Sequence, residues 1–333
     1  MLMNKSEQIN LSRETSFFIV GGAGFIGSHF IDVLLARPEV KQVSVFDNFS
    51  SGKEWHYQQH KADSRLRVFR GDVKDLSFLT QSMSGHGTVI HLASNPDIAR
   101  AASEPDIDFR EGTLLTNNVL EAMRVSKTSR LLYASGSGVY GDLGEFEAYE
   151  DFGPMHPIST YGASKLAGEA MISSYCFMFD IFACAFRFAN VVGPRQTHGV
   201  GFDFVRRLLK NPTELRILGD GTQSKSYAHV SDIVSGVLIA GEKQTKRFDV
   251  YNICTGDYIS VAEIADLAVE CCGLTPDKVT YQFTGGDRGW KGDVPIIRMN
   301  SDRIRKIGWS NKMNGRQALK ASMMAMIDEI RAN

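Results

Sequence analysis

A glycine-rich turn near the start of the chain constrains the fold more than any other stretch. Four consecutive apolar residues, typical of a buried parallel strand, precede it. Glycines follow at Gly21, Gly24 and Gly27, and a helical pattern with one apolar face begins within the turn. Glycine permits a tight turn and the close approach of a bulky anion, which the N–H groups of Phe25 and Ile26 would face. The stretch therefore predicts the pyrophosphate-binding turn of a dinucleotide fold.

An acidic residue stands at the distance from this turn that a dinucleotide site requires. Asp47 closes a second apolar run and lies 20 residues past Gly27. A carboxylate at this place would bond the hydroxyls of an adenosine ribose and repel a 2′-phosphate, so we predict NAD rather than NADP. The alternative is that Asp47 is only a turn residue before Asn48.

Composition excludes several classes of protein. The chain has 333 residues, of which 43% are hydrophobic, and a net charge of −1, as in an ordinary globular protein with one large or two medium domains. There is no basic excess that would indicate nucleic acid as a partner, and no apolar run of membrane-spanning length. The five cysteines have no metal-ligand spacing, which favours reduced thiols, a cytoplasmic location and no metal site. We expect the polar residues 1–16 to form a flexible tail rather than a signal peptide.

Strand and helix patterns alternate over the first 190 residues. This alternation predicts an α/β fold with a Rossmann-type, doubly wound parallel sheet, in which ligands bind at the carboxyl ends of the strands. The predicted strands are 17–20, 43–46, 65–69, 88–92, 130–134 and 181–188, and the two long helices are about 108–125 and 159–178.

Glycine and proline become frequent beyond residue 190, which indicates a smaller mixed α/β C-terminal lobe that binds the substrate. We therefore assign residues 17–189 to a dinucleotide-binding domain and residues 190–333 mainly to the substrate lobe. Part of the second half, about 225–255, is a segment that we expect could pack with the dinucleotide-binding domain instead of the substrate lobe.

Tyr161 and Lys165 begin the helix that follows the fifth strand. Positions i and i+4 share a helix face, so both side chains would point into one cleft. A phenol with a pKa near 10 is a poor base, but an ammonium about 4 Å away in a shielded site lowers that pKa toward 7. The same spacing occurs at Tyr57 and Lys61, in a polar segment where no cleft is predicted. The alternative for the first pair is a surface Tyr and Lys on an ordinary helix.

Taken together, these motifs resemble the extended short-chain dehydrogenase/reductase family, in particular its NAD-dependent sugar-nucleotide epimerases and dehydratases. The resemblance covers nearly the whole chain and continues into the lobe that grips a nucleotide-sugar. The motifs that carry it are Gly21-Gly22-Ala23-Gly24-Phe25-Ile26-Gly27, Asp47-Asn48, Gly71-Asp72-Val73, His91-Leu92-Ala93-Ser94, Val139-Tyr140-Gly141, Tyr161 to Lys165, Arg187-Phe188-Ala189-Asn190, Gly219-Asp220-Gly221-Thr222-Gln223 and Val230-Ser231-Asp232.

The resemblance implies roles for individual residues. Tyr161 would take a proton from a sugar hydroxyl as hydride passes to NAD, and Lys165 would also hold the nicotinamide ribose. Asp47, Asn48, Asp72, Val73, Leu92, Ala93 and Ser94 would line the cofactor, and Asn190, Lys225 and Arg288 would bind the phosphates of a nucleotide-diphosphate sugar. The helices at 108–125 and 159–178 would form a homodimer interface.

Several positions depart from the family pattern. The usual Ser or Thr four residues before the tyrosine of Val-Tyr-Gly is Gly136, which leaves Ser137, and after it Ser135, as candidates for the bridging hydroxyl. The Asp-Glu pair that dehydratases use for eliminating water is replaced by Ser137 and Gly138. The usual diphosphate-binding arginine is Lys225, a point charge without a bidentate fork.

The leading hypothesis is therefore an epimerase acting at C4 of a nucleotide-activated sugar through a transient 4-keto intermediate. A nucleotide-sugar 4,6-dehydratase and a 4-dehydrogenase rank below it. From another class, a non-catalytic NAD-binding regulator is the alternative, with the intact Tyr161 and Lys165 against it.

Overall fold

A computed structural model describes residues 15–332, so most of the expected tail lies outside the described residues. Ser16, the last residue of that tail, already belongs to the first strand. The strands are β1 (Ser16–Val20), β2 (Gln42–Asp47), β3 (Leu66–Arg70), β4 (Thr88–His91), β5 (Arg130–Gly136), β6 (Glu147–Ala148), β7 (Phe182–Phe188), β8 (Asn190–Val192), β9 (Glu214–Ile217), β10 (Ser224–Lys225), β11 (Tyr227–His229), β12 (Phe248–Ile253), β13 (Ile259–Ser260), β14 (Thr280–Phe283) and β15 (Arg298–Met299).

The helices alternate with the strands through most of the chain. They are α1 (Phe25–Leu35), α2 (Leu76–Met83), α3 (Leu114–Ser126), α4 (Thr160–Met178), α5 (Val200–Lys210), α6 (Val230–Glu242), α7 (Val261–Cys271), α8 (Asp302–Lys306) and α9 (Gly315–Ala332). A π-helical turn, Phe109–Thr113, precedes α3. Among residues 15–332, no helix combines the length and the hydropathy that a bilayer span needs.

Seven strands form one sheet in the order β12-β7-β5-β4-β1-β2-β3, and every neighbouring pair is parallel. The predicted α/β class with a doubly wound parallel sheet is confirmed. The strand order reverses between β1 and β4, which is the switch point where such sheets bind their ligands. The glycine-rich turn therefore leaves the sheet at its expected binding edge.

Helices cover both faces of this sheet. Along β1, Phe17 and Ile19 pack in the cluster that contains residues of α1 and α6, because alternate side chains of a strand point to opposite faces. Phe18 and Val20 pack in the cluster that contains residues of α2, α3 and α4. These two apolar layers hold the strand ends, and with them the polar edge of the sheet, in a fixed arrangement.

The C-terminal lobe has an apolar core of its own. Phe204 of α5, Ile264 of α7 and Leu319 of α9 are buried together beside the short β9–β14 sheet. Part of the second half nevertheless belongs to the main sheet and its helices. Strand β12 pairs with β7 at the edge of that sheet, and α6 packs in the same apolar cluster as α1. The two halves are thus interleaved in sequence rather than divided at a single residue.

Candidate active site

The glycine turn is shaped by close backbone contacts. Gly21 has a positive φ of 80°, and a Cβ there would lie 2.8 Å from the backbone nitrogen of Ala93. A Cβ on Gly27 would lie 2.6 Å from Gly22, so only glycine lets the first turn of α1 approach the strand end this closely. Helix α1 begins at Phe25 after Gly24, with no side-chain cap on its first N–H groups. Those open donors at a helix N-terminus suit a pyrophosphate, so the turn fits a dinucleotide.

Asp47 braces this turn from the end of β2. Its Oδ2 accepts the N–H of Ala23 at 3.0 Å and its Oδ1 accepts the N–H of Phe49 at 2.8 Å. Burial raises the pKa of the carboxyl, while these two N–H groups lower it by a smaller amount. Asn48 donates to Asp72 at 3.5 Å, so the predicted acidic and amide groups meet at the ends of β2 and β3.

The segment after β4 lies against the same turn. The N–H groups of Leu92 and Ala93 both bond to the carbonyl oxygen of Val20, at 2.9 and 3.1 Å. These bonds continue the β4–β1 pairing beyond the end of the strand and hold Ala93 beside Gly21. Val73, after β3, is buried, and Ser94 is half-buried. The structure thus gathers the predicted cofactor residues along one edge of the sheet.

Lys165 is buried beside Tyr161 in the first turns of α4. Its side chain donates from Nζ to the carbonyl oxygen of Ala134 at 2.7 Å, and Nζ lies 5.5 Å from the centre of the Tyr161 ring. Burial lowers the pKa of this ammonium, but the phenols of Tyr161 and Tyr133 act in the opposite direction, and the net pKa is raised. The pair therefore combines a phenol with a retained cation, as a phenolate base requires.

The other Tyr-Lys pair has no such geometry. Tyr57 lies at a kink inside a 3₁₀ segment, Glu54–His60, with φ −127° and ψ 15°. Because the backbone there is not helical, Tyr57 and Lys61 do not share the face of a regular α-helix. The structure agrees with giving this pair no role.

The two candidate serines face different surroundings. Ser135 is buried and donates to Oε1 of Glu169 at 2.6 Å, and Glu169 in turn pairs with Arg187 at 2.6 Å. Ser137 instead lines a small cleft, here called the Ser137 cleft. Its other lining residues are Ala189, Asn190, Lys225, Ser226, Ile297 and Met299. The cleft brings Ser137 together with Asn190 and Lys225, and the geometry favours Ser137 over Ser135.

The two cations predicted to bind phosphate already have carboxylate partners. Nζ of Lys225 lies 2.5 Å from Asp293, and Arg288 lies 2.6 Å from Asp142. Arg288 also donates to the carbonyl oxygen of Asp293 at 2.6 Å. The segments that carry Asp142, Lys225 and Arg288 therefore meet at one place. Neither ion pair was predicted from the sequence, because Lys225 and Asp293 are 68 residues apart in the chain and Arg288 and Asp142 are 146 apart. A phosphate would have to compete with these carboxylates for the same donors.

Sequence reasoning also missed Glu169, the buried partner of Ser135. Its position carries a signal, because it lies eight residues after Tyr161 and four after Lys165, on the same face of α4. A carboxylate on the buried stripe of a helix needs a partner, and Arg187 on β7 supplies it. Among residues 15–332, no group of three or more His, Cys, Asp or Glu side chains is placed to hold a metal ion.

Comparison with known proteins decides the family. The NAD dependent epimerase/dehydratase family matches residues 17–254, more than two thirds of the chain. The chain belongs to this family. It is therefore an NAD-dependent enzyme of the sugar-nucleotide epimerase/dehydratase type, and the family resemblance, the predicted cofactor and the enzymatic class are confirmed.

Individual relatives cover nearly the full chain. A putative UDP-glucose 4-epimerase of Methanocaldococcus jannaschii is 28% identical over 308 residues, covering 91% of this chain and 95% of that protein. A crystal structure of a UDP-galactose 4-epimerase matches with a TM-score of 0.83 at 34% identity, covering 94% and 99% of the two chains. A dTDP-glucose 4,6-dehydratase of Streptomyces venezuelae, solved with NAD bound, matches with a TM-score of 0.86 at 25% identity, covering 95% and 98%. Similarity alone therefore does not choose between epimerisation and dehydration.

Proposed function

We propose that this enzyme is a nucleotide-sugar 4-epimerase with Tyr161 as its base. The observation that carries the proposal is the buried ammonium of Lys165 next to the Tyr161 ring, at the sheet edge that also holds the glycine turn. The Ser137 cleft opens on the same edge and contains Asn190 and Lys225. Groups for proton transfer, for a nucleotide cofactor and for a charged substrate are thus collected in one region.

The chemistry follows from these side chains. Tyr161, as phenolate, would remove the proton from the C4 hydroxyl, and the cation of Lys165 would stabilise the phenolate. NAD bound along the glycine turn supplies reversible acceptance of hydride from C4. Tyr161 would return the proton after the 4-keto sugar has presented its other face, which inverts C4 with no net redox change. Ser137 would donate a hydrogen bond to the C4 oxygen.

The residues after β5 favour epimerisation over elimination. Removing water from a hexose requires an acid and a base beside the carbons that form the double bond. The two positions that carry an Asp-Glu pair in the resembling dehydratases are Ser137 and Gly138, which have no carboxyl group. Neither can transfer a proton near neutral pH as a carboxylic acid does. We therefore place 4,6-dehydration second.

The substrate class follows from the charges near the cleft. Lys225 and Arg288 would bind the diphosphate of a nucleotide-sugar, after exchange of their bonds to Asp293 and Asp142. Relatives named for UDP- and dTDP-sugars make these two nucleotides the first to test. A diphosphate offers charged acceptor oxygens to both cations in one molecule, whereas the two carboxylates are held by separate loops. We propose that this exchange accompanies substrate binding.

The test is incubation of UDP- and dTDP-hexoses with the enzyme and a catalytic amount of NAD, followed by NMR. We expect C4 epimers to form without accumulation of NADH. Loss of water from the sugar would show a dehydratase, and net formation of NADH would show a 4-dehydrogenase.

Two variants test the role of the base. Tyr161→Phe should lose turnover by roughly 100-fold or more while still binding NAD, because only the hydroxyl is removed. Tyr281→Phe is the matched control, since that hydroxyl bonds to Asp266 in the C-terminal lobe and should be dispensable. Full activity in Tyr161→Phe would refute Tyr161 as the base.

A further inference from the structure

A segment between β2 and β3 lies against the glycine turn. It comprises residues 52–60, here called the cover segment, and includes the 3₁₀ segment Glu54–His60. The N–H of Lys53 bonds to the carbonyl oxygen of Ala23 at 3.0 Å, and a Cβ on Gly52 would lie 2.9 Å from both the Cβ of Ala23 and Oδ1 of Asp47. The cover segment therefore borders the glycine turn on the side of Asp47, where the adenosine ribose of NAD is expected.

His56 bonds to the same carbonyl oxygen from within the cover segment. This residue is 1% exposed, and its Nδ1 lies 2.7 Å from the oxygen of Ala23. A carbonyl oxygen can only accept a hydrogen bond, so Nδ1 carries the hydrogen. Two donors of the cover segment, one from the backbone and one from a side chain, thus converge on a single residue of the glycine turn.

The end of the cover segment is tied to α1. Oδ1 of Asp32, on that helix, accepts hydrogen bonds from Nε2 of Gln59 at 2.8 Å and from Nε2 of His60 at 2.7 Å. The other oxygen of the same carboxylate accepts from Arg195. One side chain of the helix that follows the glycine turn therefore joins the cover segment to a residue from the second half of the chain.

Arg195, in the loop between β8 and α5, also holds the middle of the cover segment. Its Nη1 donates to the backbone carbonyl oxygen of His56 at 2.8 Å, while its Nη2 bonds to Asp32 and to Nδ1 of His29 at 2.8 Å. Its own N–H donates to Glu329 of α9 at 2.9 Å, and its side chain is only 13% exposed. A guanidinium fixed by the C-terminal helix thus clamps the cover segment onto the dinucleotide-binding domain.

We propose that Arg195 is a positioning residue that holds the cover segment on the glycine turn and thereby slows the release of NAD. It acts through His56 and Asp32, because these side chains and the backbone between them connect it to the turn. A segment that borders a ligand must open before the ligand leaves, and each bond that holds the segment closed makes opening rarer. The benefit of slow release rests on the proposed epimerase, which regenerates its NAD in each turnover, but the claim about release does not.

A general contribution of Arg195 to stability is the competing explanation, and two matched variants separate the two. Arg195→Lys keeps a positive charge for Asp32 but lacks the second nitrogen that reaches the carbonyl oxygen of His56. Arg65→Lys is the control, since Arg65 also bonds to an aspartate, Asp63, and to backbone carbonyl oxygens. Its bonds join the end of α1 to the turn before β3. Both variants should lose stability, but only the first should change the release of the dinucleotide.

The first readout is the dissociation rate of NADH, followed by its fluorescence in a stopped-flow chase with excess NAD. Arg195→Lys should release NADH about 10-fold faster than the parent protein, because a bond from a charged donor is lost. Arg65→Lys should release NADH at the parent rate. The second readout is hydrogen exchange of the cover segment in the nucleotide-free protein, which should become faster in Arg195→Lys and stay unchanged in Arg65→Lys.

An unchanged NADH dissociation rate in Arg195→Lys would overturn the proposal, and so would equal acceleration in both variants. If Arg195→Lys does not fold, His56→Ala decides the matter. That change removes the side-chain bond to Ala23 but keeps the backbone carbonyl that Arg195 holds, so NADH should again leave faster, and an unchanged rate would overturn the proposal. A parent protein whose cover segment exchanges as fast as an unfolded peptide would do the same. Since both readouts need no sugar, they stand apart from the test of epimerase activity.

Discussion

Three consecutive residues, the last two of β5 and the one that follows it, differ in what their side chains can reach. Ser135 is engaged by Glu169, while Ser137 faces the cleft that contains Asn190 and Lys225. Gly136 between them has an extended backbone, with φ −161° and ψ 163°, and a Cβ at this position would meet nothing within 4 Å. There is therefore space for a small side chain at position 136, where the family usually has a hydroxyl residue.

This arrangement predicts that a hydroxyl can be moved between neighbouring positions. Ser137→Ala should lower kcat by roughly 10- to 100-fold, because it removes the donor to the C4 oxygen. Gly136→Ser should fold normally and restore most of the lost activity when combined with Ser137→Ala. Steady-state kinetics of the single and double variants check this, with Ser135→Ala as the control that should affect stability more than kcat. A double variant no more active than Ser137→Ala would contradict the assignment.

At the scale of elements, one buried ion pair joins the catalytic helix to the sheet. Glu169 of α4 and Arg187 of β7 are 5% and 3% exposed, and Arg187 also donates to the hydroxyl of Tyr140 at 2.9 Å. Removing one partner leaves a buried charge without compensation, which costs about 3–5 kcal/mol.

Glu169→Gln should therefore lower the free energy of unfolding by about 3 kcal/mol, measured by urea denaturation. The matched control is Glu270→Gln, because Glu270 is half-exposed and pairs with Lys320 and Arg316 at the surface. That change should have no measurable effect. Equal losses in the two variants would show that burial of the first pair does not matter.

The sequence predicted the central elements well, because buried parallel strands and long amphipathic helices have strong local patterns. The predicted strand 181–188 is Phe182–Phe188 and the predicted helix 159–178 is Thr160–Met178. The helices Leu76–Met83 and Gly315–Ala332 were not predicted from it. The π-helical turn Phe109–Thr113 was predicted as regular helix, and the close approach of its Gly112 to Ser164 on another helix was not predicted. The hydrophobic pattern of a short segment does not indicate a contact between residues that are far apart in the chain.

The same limit applies to the site. The glycine turn and the Tyr161–Lys165 pair depend on spacings of a few residues, so they could be recognised in the sequence. The partner of Arg288 is Asp142, 146 residues away, and only the folded chain brings the two together. Arg195 was likewise not singled out, because its partners His56 and Asp32 lie 139 and 163 residues from it.

At the scale of the whole molecule, buried histidines predict a loss of stability in acid. Burial lowers the pKa of His29 to about 4, with the guanidinium of Arg195 adding to the effect, and lowers that of His91 to about 3. In the unfolded chain both titrate near 6.5, so below that pH the unfolded state binds more protons than the folded state. The free energy of unfolding should therefore fall as the pH drops from about 6.5 toward 4.

Denaturant unfolding at several pH values checks this, with a slope of up to about 1.4 kcal/mol per pH unit for each such histidine. His29→Gln should reduce the slope, because glutamine can accept from Arg195 and donate to the carbonyl oxygen of Pro194 without titrating. An unchanged slope in this variant would contradict the assignment to His29.

Exposed apolar side chains on two neighbouring helices predict self-association. Phe109, at the start of the π-helical turn, is 61% exposed, Phe177 and Met178 at the end of α4 are 72% and 69% exposed, and Val125 of α3 is 55% exposed. Such side chains on one layer indicate an interface, and we propose a homodimer through these helices. Sedimentation should give twice the mass of one chain, and Phe177→Asp should shift the equilibrium to the monomer. A monomeric parent protein at micromolar concentration would contradict this.

The central claim is that hydride leaves C4 of a nucleotide-sugar and returns to the same carbon, while Tyr161 removes and returns the proton of the C4 hydroxyl. The most direct measurement uses the reacting nucleotide-hexose with deuterium at C4, incubated in ordinary water and analysed by NMR. The account predicts a C4 epimer that retains deuterium at C4 and has lost no water. Deuterium that exchanges with solvent, or that appears on another carbon of a dehydrated product, would contradict it.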